Sequence, residues 1–145
     1  MLKPAKLSDK FSAHVQIAVA DLKEIKALGF KTVINNRPDS ETDDQPFSAA
    51  FEAEAAILGL DYIHIPINLK TVGEAEIDAM QSALKNTSAP VFSFCRTGNR
   101  CTILWSIINI RQNVDQLEAH METAANAGFD MSKQLPLFRQ FISGI

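Results

Sequence analysis

A chain of 145 residues with 46% hydrophobic and 21% charged side chains has the balance of a globular fold, which excludes fibrous and disordered classes and allows a core without crosslinks. A formal charge of −3 argues against a nucleic-acid partner, which asks for a basic surface. No apolar run approaches the roughly 18 residues of a membrane helix, and the opening MLKPAKLSDKFSAHVQ lacks a signal-peptide core.

One cytoplasmic domain over residues 1–145 with no membrane partner is therefore expected. Its two cysteines are expected as reduced thiols, to be explained by chemistry or packing.

In chain order, HVQIAVA reads as a strand and ADLKEIKALGF as a helix, with Leu22, Ile25 and Leu28 at helical spacing and Gly29 as its stop. KTVINN is a short strand, and RPDSETDDQP, with two prolines and several acids, is a loop. FSAAFEAEAAILGL carries Phe47, Phe51, Ala55 and Leu58 on one helical stripe and ends at Gly59. DYIHIPIN alternates as a strand with an X-Pro exit, GEAEIDAMQSALKN is a third amphipathic helix, and PVFSF suits a central strand covered on both faces.

CTILWSIINIRQN is apolar enough for a largely buried helix, and VDQLEAHMETAANAGF and LPLFRQFISGI close the chain as two more. Strand and helix alternate four times before a helical C-terminal third. This order predicts an α/β three-layer sandwich with a central, mainly parallel sheet of four to five strands flanked by helices. Ligands of such sheets sit at the carboxyl ends of the strands, where the segment CRTGNR falls.

That segment puts Cys95 at a strand end and Arg100 in the first turn of a helix, so the backbone between them wraps tightly around Gly98. Amides from Arg96, Thr97, Gly98, Asn99 and Arg100 then converge on one point, with the positive end of the helix dipole behind them. The same field lowers a thiol pKa, and the thiolate is the attacking form. Arg100 offers a planar fork for two oxygens of a phosphate or sulfate-like group. Arg96 adds charge or points to solvent.

CRTGNR resembles the active-site loops of two related groups. Rhodanese-type sulfurtransferases also have four residues between the cysteine and the last loop position, whereas cysteine-dependent phosphatases carry five before the arginine. Taken with LGFKTVINNRPDSE, GLDYIHIPIN and APVFSFCRTGNRCTILW, the chain resembles the phosphatase-like domain of the beta-lactamase-hydrolase-like protein family over roughly residues 5–110. The resemblance implies a cysteine phosphatase-like fold in which Cys95 attacks phosphorus, the loop amides and Arg100 hold the oxygens, and a phosphocysteine forms and is hydrolysed. It implies no cofactor, and as substrate a phosphorylated small molecule or protein.

Three features depart from the dual-specificity phosphatase pattern. Where those enzymes place an aspartate acid, this chain has Asn68, followed by Leu69 and Lys70; Phe94 replaces the histidine before the cysteine; and the loop is one residue short. An amide cannot act as the acid. Asp39 of NRPD is then the leading carboxylate for that task, with Glu41, Asp43 or Asp44 behind it, against a plain turn role after Pro38. Arg37 either assists anion binding or pairs with the acidic loop around Asp43 and Asp44, and Asn36 is placed to brace the cysteine loop.

Cys101 stands where the resembling families commonly have a serine or threonine that bonds the nucleophile. It is either a small buried residue or a redox partner able to capture an oxidised Cys95 as a disulfide. His14, His64 and His120 show no metal-ligand spacing, so no metal site is expected. Three functions stand at this point: a phosphomonoesterase, a sulfurtransferase carrying a persulfide on Cys95, and a phosphate-binding module without catalysis.

Overall fold

The computed structural model describes residues 1–145. Five strands, β1 (Ala5–Ser8), β2 (Phe11–His14), β3 (Thr32–Asn35), β4 (Asp61–His64) and β5 (Val91–Phe94), form one sheet in the order β1-β2-β5-β3-β4. Neighbours are parallel except for β1, which pairs antiparallel with β2. The helices are α1 (Leu22–Ala27), α2 (Ser48–Leu58), α3 (Glu74–Lys85), α4 (Asn99–Gln112), α5 (Leu117–Asn126) and α6 (Leu135–Phe141). The expected α/β sandwich is the fold, with the sheet at the upper end of the four- to five-strand expectation. No helix is long and apolar enough to cross a membrane.

β5 is the middle strand and all four of its residues are buried, as a continuous apolar run between two helical layers requires. Its alternation divides the core. Val91 and Cys95 belong to the larger cluster, built on α4 with Ile77 and Met80 of α3 and Phe138 of α6. Phe92 and Phe94 belong to the smaller one, which holds Leu22 and Ile25 of α1 and Phe51 and Ala55 of α2. Helix α4 is buried on nearly every side, from Cys101 through Ile108. A fully buried Leu or Ile contributes about 1.5–3 kcal/mol by leaving water, so this helix anchors the loop that precedes it.

The N-terminal region departs from the expectation. HVQIAVA is not a strand: β2 ends at His14, and the chain turns through a short 3-10 segment, Val19–Asp21, into α1. The missing strand pair comes instead from the preceding residues, where Ser8, Asp9 and Lys10 turn β1 back on β2, with the Lys10 amide donating to Ser8 Oγ at 3.2 Å. Two apolar residues assigned to inner stripes also lie outside, Leu28 at 52% and Phe47 at 62% exposure. Leu28 is the C-cap residue of α1, and Phe47 is the extended N-cap of α2; neither is held by a full helical turn against the sheet.

Because β2, β5, β3 and β4 run in parallel, His14, Cys95, Asn36 and Ile65 follow or end their strands at one edge. The strand ends are tied together there. The Asn36 amide donates to Phe94 O at 2.8 Å, the Cys95 amide to His14 O at 3.4 Å, and the Ile67 amide to Asn36 O at 3.0 Å.

Candidate active site

β5 delivers Cys95 to this edge, and α4 begins four residues later with Gly98 as its N-cap. Gly98 sits at φ +86°, a conformation that carries a Cβ only with strain. A Cβ there would also lie 2.9 Å from the Phe129 ring and 3.4 Å from His14 O. The left-handed turn aims the Gly98 amide at Cys95 Sγ, 3.1 Å away. Amides of Cys101, Thr97 and Arg100 point to the same sulfur. The Thr102 hydroxyl donates to Gly98 O at 2.9 Å and fixes the other side of the turn.

Cys95 is fully buried and free, yet its pKa is lowered from 9.0 to about 5. Hydrogen bonding from the Cys101 thiol is the largest cause; burial opposes it; the amides add to it. Cys95 is therefore a thiolate at neutral pH. Cys101 is the complement: burial pushes its thiol well above the ordinary value, and the neighbouring Cys95 pushes it further, against smaller opposing effects of Ser93 and Arg100. One sulfur holds the charge and the other keeps its proton and donates it. Next to Cys101, Ser93 donates its hydroxyl to Ser12 O at 2.8 Å.

Arg100 meets Glu41 end-on. Nη1 donates to Glu41 Oε2 at 2.7 Å and Nη2 to Oε1 at 2.8 Å, while Nη1 also donates to Ile67 O at 2.9 Å. Of the five guanidinium N–H groups, the Nε–H and the second Nη2–H remain, which form the side-on fork. The charge of the nearby Cys95 sulfur adds to the Glu41 bond in raising the Arg100 pKa. Glu41 thus holds one edge of the guanidinium and leaves the other for an anion beside the thiolate.

Arg37 supports this arrangement from below. It is 3% exposed and donates from Nε to Glu41 Oε1 at 2.9 Å, from Nη1 to Gln16 Oε1 at 2.9 Å and from Nη2 to Thr42 Oγ1 at 3.3 Å. Its acidic partner is Glu41 rather than Asp43 or Asp44. The bond from Arg100 is the largest cause lowering the Glu41 carboxyl from 4.5 to about 2; burial opposes it, and the Arg37 bond adds to it. Ser40, at φ +63°, is the one non-glycine residue with positive φ, and it turns the chain that carries Glu41 into place.

Beta-lactamase hydrolase-like protein, phosphatase-like domain, is the family whose model matches residues 5–113. The chain belongs to this family. It is 34% identical over 104 residues to the beta-lactamase hydrolase-like protein of Agrobacterium fabrum and 33% identical over 108 residues to that of Xylella fastidiosa. In each case 72% of this chain is covered but only 24% of the relative, so the chain spans about a quarter of the length of those proteins. A candidate phosphatase from Neisseria meningitidis superposes with a TM-score of 0.81 at 27% identity, over 95% of this chain and 99% of that one. TpbA of P. aeruginosa, in complex with phosphotyrosine, shares the fold with a TM-score of 0.64 at 17% identity, over 94% and 80% of the two chains.

Within this phosphatase-like domain the residues singled out from the sequence fall into two groups. Cys95, Thr97, Gly98 and Arg100 converge on the sulfur, with Cys101 against it. Asn99 closes the loop by donating its amide to Thr97 Oγ1 at 3.3 Å. Arg96 is exposed and accepts the Gln16 amide at its carbonyl. Its side chain lines a polar cleft of about 300 Å³ with Gln16, Arg37, Thr42, Asp44, Gln45 and Pro46.

Asp39, the leading carboxylate for proton donation, turns elsewhere. Its Oδ1 accepts the Ser48 amide at 2.8 Å and braces the first turn of α2. Asn68 is exposed and accepts the Lys70 amide at 2.9 Å. Asn36 braces the cysteine loop from the β3 side through the Phe94 carbonyl, while its side chain donates to Ile65 O at 2.9 Å. Gln16, the Ile67 carbonyl and Phe129 entered the site without notice. Nothing in their local sequence marks them, because each acts through a contact made across the fold.

Proposed function

We propose that this domain is a cysteine-dependent phosphatase that cleaves phosphomonoesters through a phosphocysteine intermediate. The observation that carries the reading is the Cys95 thiolate inside a ring of inward amides, with the side-on edge of Arg100 beside it. The thiolate supplies an electron pair to phosphorus, the phosphorus–oxygen bond to the leaving group breaks, and the equatorial oxygens gain charge against the amides and Arg100. Water then attacks the phosphocysteine, releasing phosphate and returning the thiolate. Glu41 and Arg37 act through Arg100 and are positioning residues.

Phosphotyrosine is bound by TpbA, which shares the fold; for this chain an aryl phosphate, free or on a protein, is the substrate proposed. A second reading rests on the spacing of Cys95 and Arg100, with four residues between them, as in sulfurtransferases. In that reaction the thiolate takes the outer sulfur of thiosulfate, sulfite leaves, and the persulfide passes its sulfur to cyanide.

Para-nitrophenyl phosphate hydrolysis and thiosulfate-to-cyanide transfer, measured on wild type and Cys95→Ser, test both. Nitrophenol release that vanishes in the variant supports the phosphatase; thiocyanate formation that vanishes supports the transferase. Equal background in both proteins returns the domain to a phosphate-binding module.

A further inference from the structure

We propose that this site takes donors whose leaving group departs as an anion without receiving a proton, because the bonded carboxylates around the cradle are already engaged and the loop after β4 carries the amide Asn68. The inference rests on attack by Cys95, and it narrows the substrate class by the chemistry of the departing group.

Glu41 is the carboxylate bonded to Arg100, whose end-on edge it takes, and it is tied to Arg37 as well. Two guanidinium groups keep it ionised, which is consistent with a pKa near 2, so it has no proton to give. Asp39 spends Oδ1 on the Ser48 amide at the start of α2. Asp44, in the polar cleft, accepts the Thr42 hydroxyl at 2.7 Å, and that bond together with Arg37 and Arg96 holds its carboxyl below the ordinary value. His64 commits Nε2 to Arg37 O at 2.8 Å. Lys70 and Asp43 are exposed and carry no bond into the site.

A positioned general acid contributes about 10²–10⁴-fold. Without one, an alkyl phosphate must expel an alkoxide, whereas a phenolate with electron-withdrawing groups, a carboxylate or sulfite leaves as a stable anion. The amides, the Arg100 edge and the thiolate are sufficient for the second group and insufficient for the first.

The test is kcat/KM for a series of aryl phosphates from 2,4-dinitrophenyl to phenyl phosphate, on wild type, Cys95→Ser and the single variants Asp39→Asn, Asp43→Asn and Asp44→Asn. Asparagine keeps the hydrogen-bond acceptor of each aspartate and removes its proton. The expected result is a fall of about 100-fold or more along the series, unchanged in the three asparagine variants. A level series overturns the proposal, as does an asparagine variant that slows phenyl phosphate about 100-fold while sparing the dinitrophenyl ester.

If dinitrophenyl phosphate shows no turnover that depends on Cys95, the phosphatase reading fails by itself. Thiosulfate then carries the test, because sulfite also leaves without a proton. Sulfite release that depends on Cys95 upholds the leaving-group rule, and its absence there as well overturns it.

Discussion

The Arg100 guanidinium lies end-on against the Glu41 carboxylate, with nitrogen–oxygen distances of 2.7 and 2.8 Å, across 59 positions of sequence. Arg37 approaches the same carboxylate at 2.9 Å. One acid therefore orients the arginine beside Cys95 while a second arginine fixes the acid. Bidentate pairing of this kind sets a geometry as well as an energy.

Glu41→Gln loosens that geometry without touching the cysteine. Its expected effect is a fall of about 10- to 100-fold in kcat/KM for an aryl phosphate, with the rate of Cys95 alkylation by iodoacetamide nearly unchanged. Loss of alkylation in parallel with activity would show that Glu41 supports the whole loop rather than the arginine alone.

The Glu41 carboxyl also ties folding stability to acid pH. Its pKa is depressed from 4.5 to about 2, so the stabilisation is present above 4.5 and is lost as pH falls toward 2. With the side chain 29% exposed and partly screened, about 1–2 kcal/mol is the expected size. Urea titrations at pH 6 and pH 3 measure it, and Glu41→Gln removes the part of the difference that belongs to this residue.

The Cys95 thiolate is expected to titrate near pH 5. The reactive form is present above that value and disappears below it, so the alkylation rate falls as pH drops through 5. Since the Cys101 thiol is the largest cause of the shift, Cys101→Ala moves the midpoint upward, by about one pH unit for a lost hydrogen bond to a charged sulfur. Cys101→Ser retains a donor and moves it less. An unmoved midpoint in the alanine variant would leave the shift to the backbone amides.

Gly98→Ala forces a side chain into a left-handed position at a cost of about 1–2 kcal/mol and drives its Cβ against the Phe129 ring. The expected outcome is a displaced Gly98 amide, a Cys95 midpoint above that of the wild type and a loss of activity of about 100-fold. Adding Phe129→Ala removes the clash but not the strain. Recovery of part of the stability without recovery of the midpoint would separate the two effects.

Cys101 against Cys95 also predicts an oxidative product. Peroxide transfers an oxygen to the Cys95 thiolate and hydroxide leaves; the Cys101 thiol then displaces water from the sulfenic acid and forms a disulfide. Mass spectrometry after mild peroxide is expected to show an internal Cys95–Cys101 bond that dithiothreitol reverses. Conversion of Cys95 to sulfinic acid without that bond would refute the pairing.

Continuous segments were legible in the sequence. PVFSF as β5, the turn at Gly98 and the buried α4 follow from a run of apolar residues, one glycine and a helix start, all within a few residues of one another. The cysteine and its amide ring are therefore local, and so is Cys101, at the first turn of the same helix. The hairpin of β1 and β2 was not legible, because two four-residue strands carry less periodic signal than the apolar HVQIAVA beside them, and pairing with β5 decided between the two.

By itself the sequence determined the α/β order and the anion loop, since both arise from short-range backbone preferences and patterning. Only the tertiary structure decided which carboxylate does what. Glu41 and Asp39 are two residues apart on one loop, yet one meets Arg100 and the other the Ser48 amide. That division depends on where β3, β4 and α4 place their ends, and on Ser40 turning left-handed between the two acids, which no local pattern of side chains specifies.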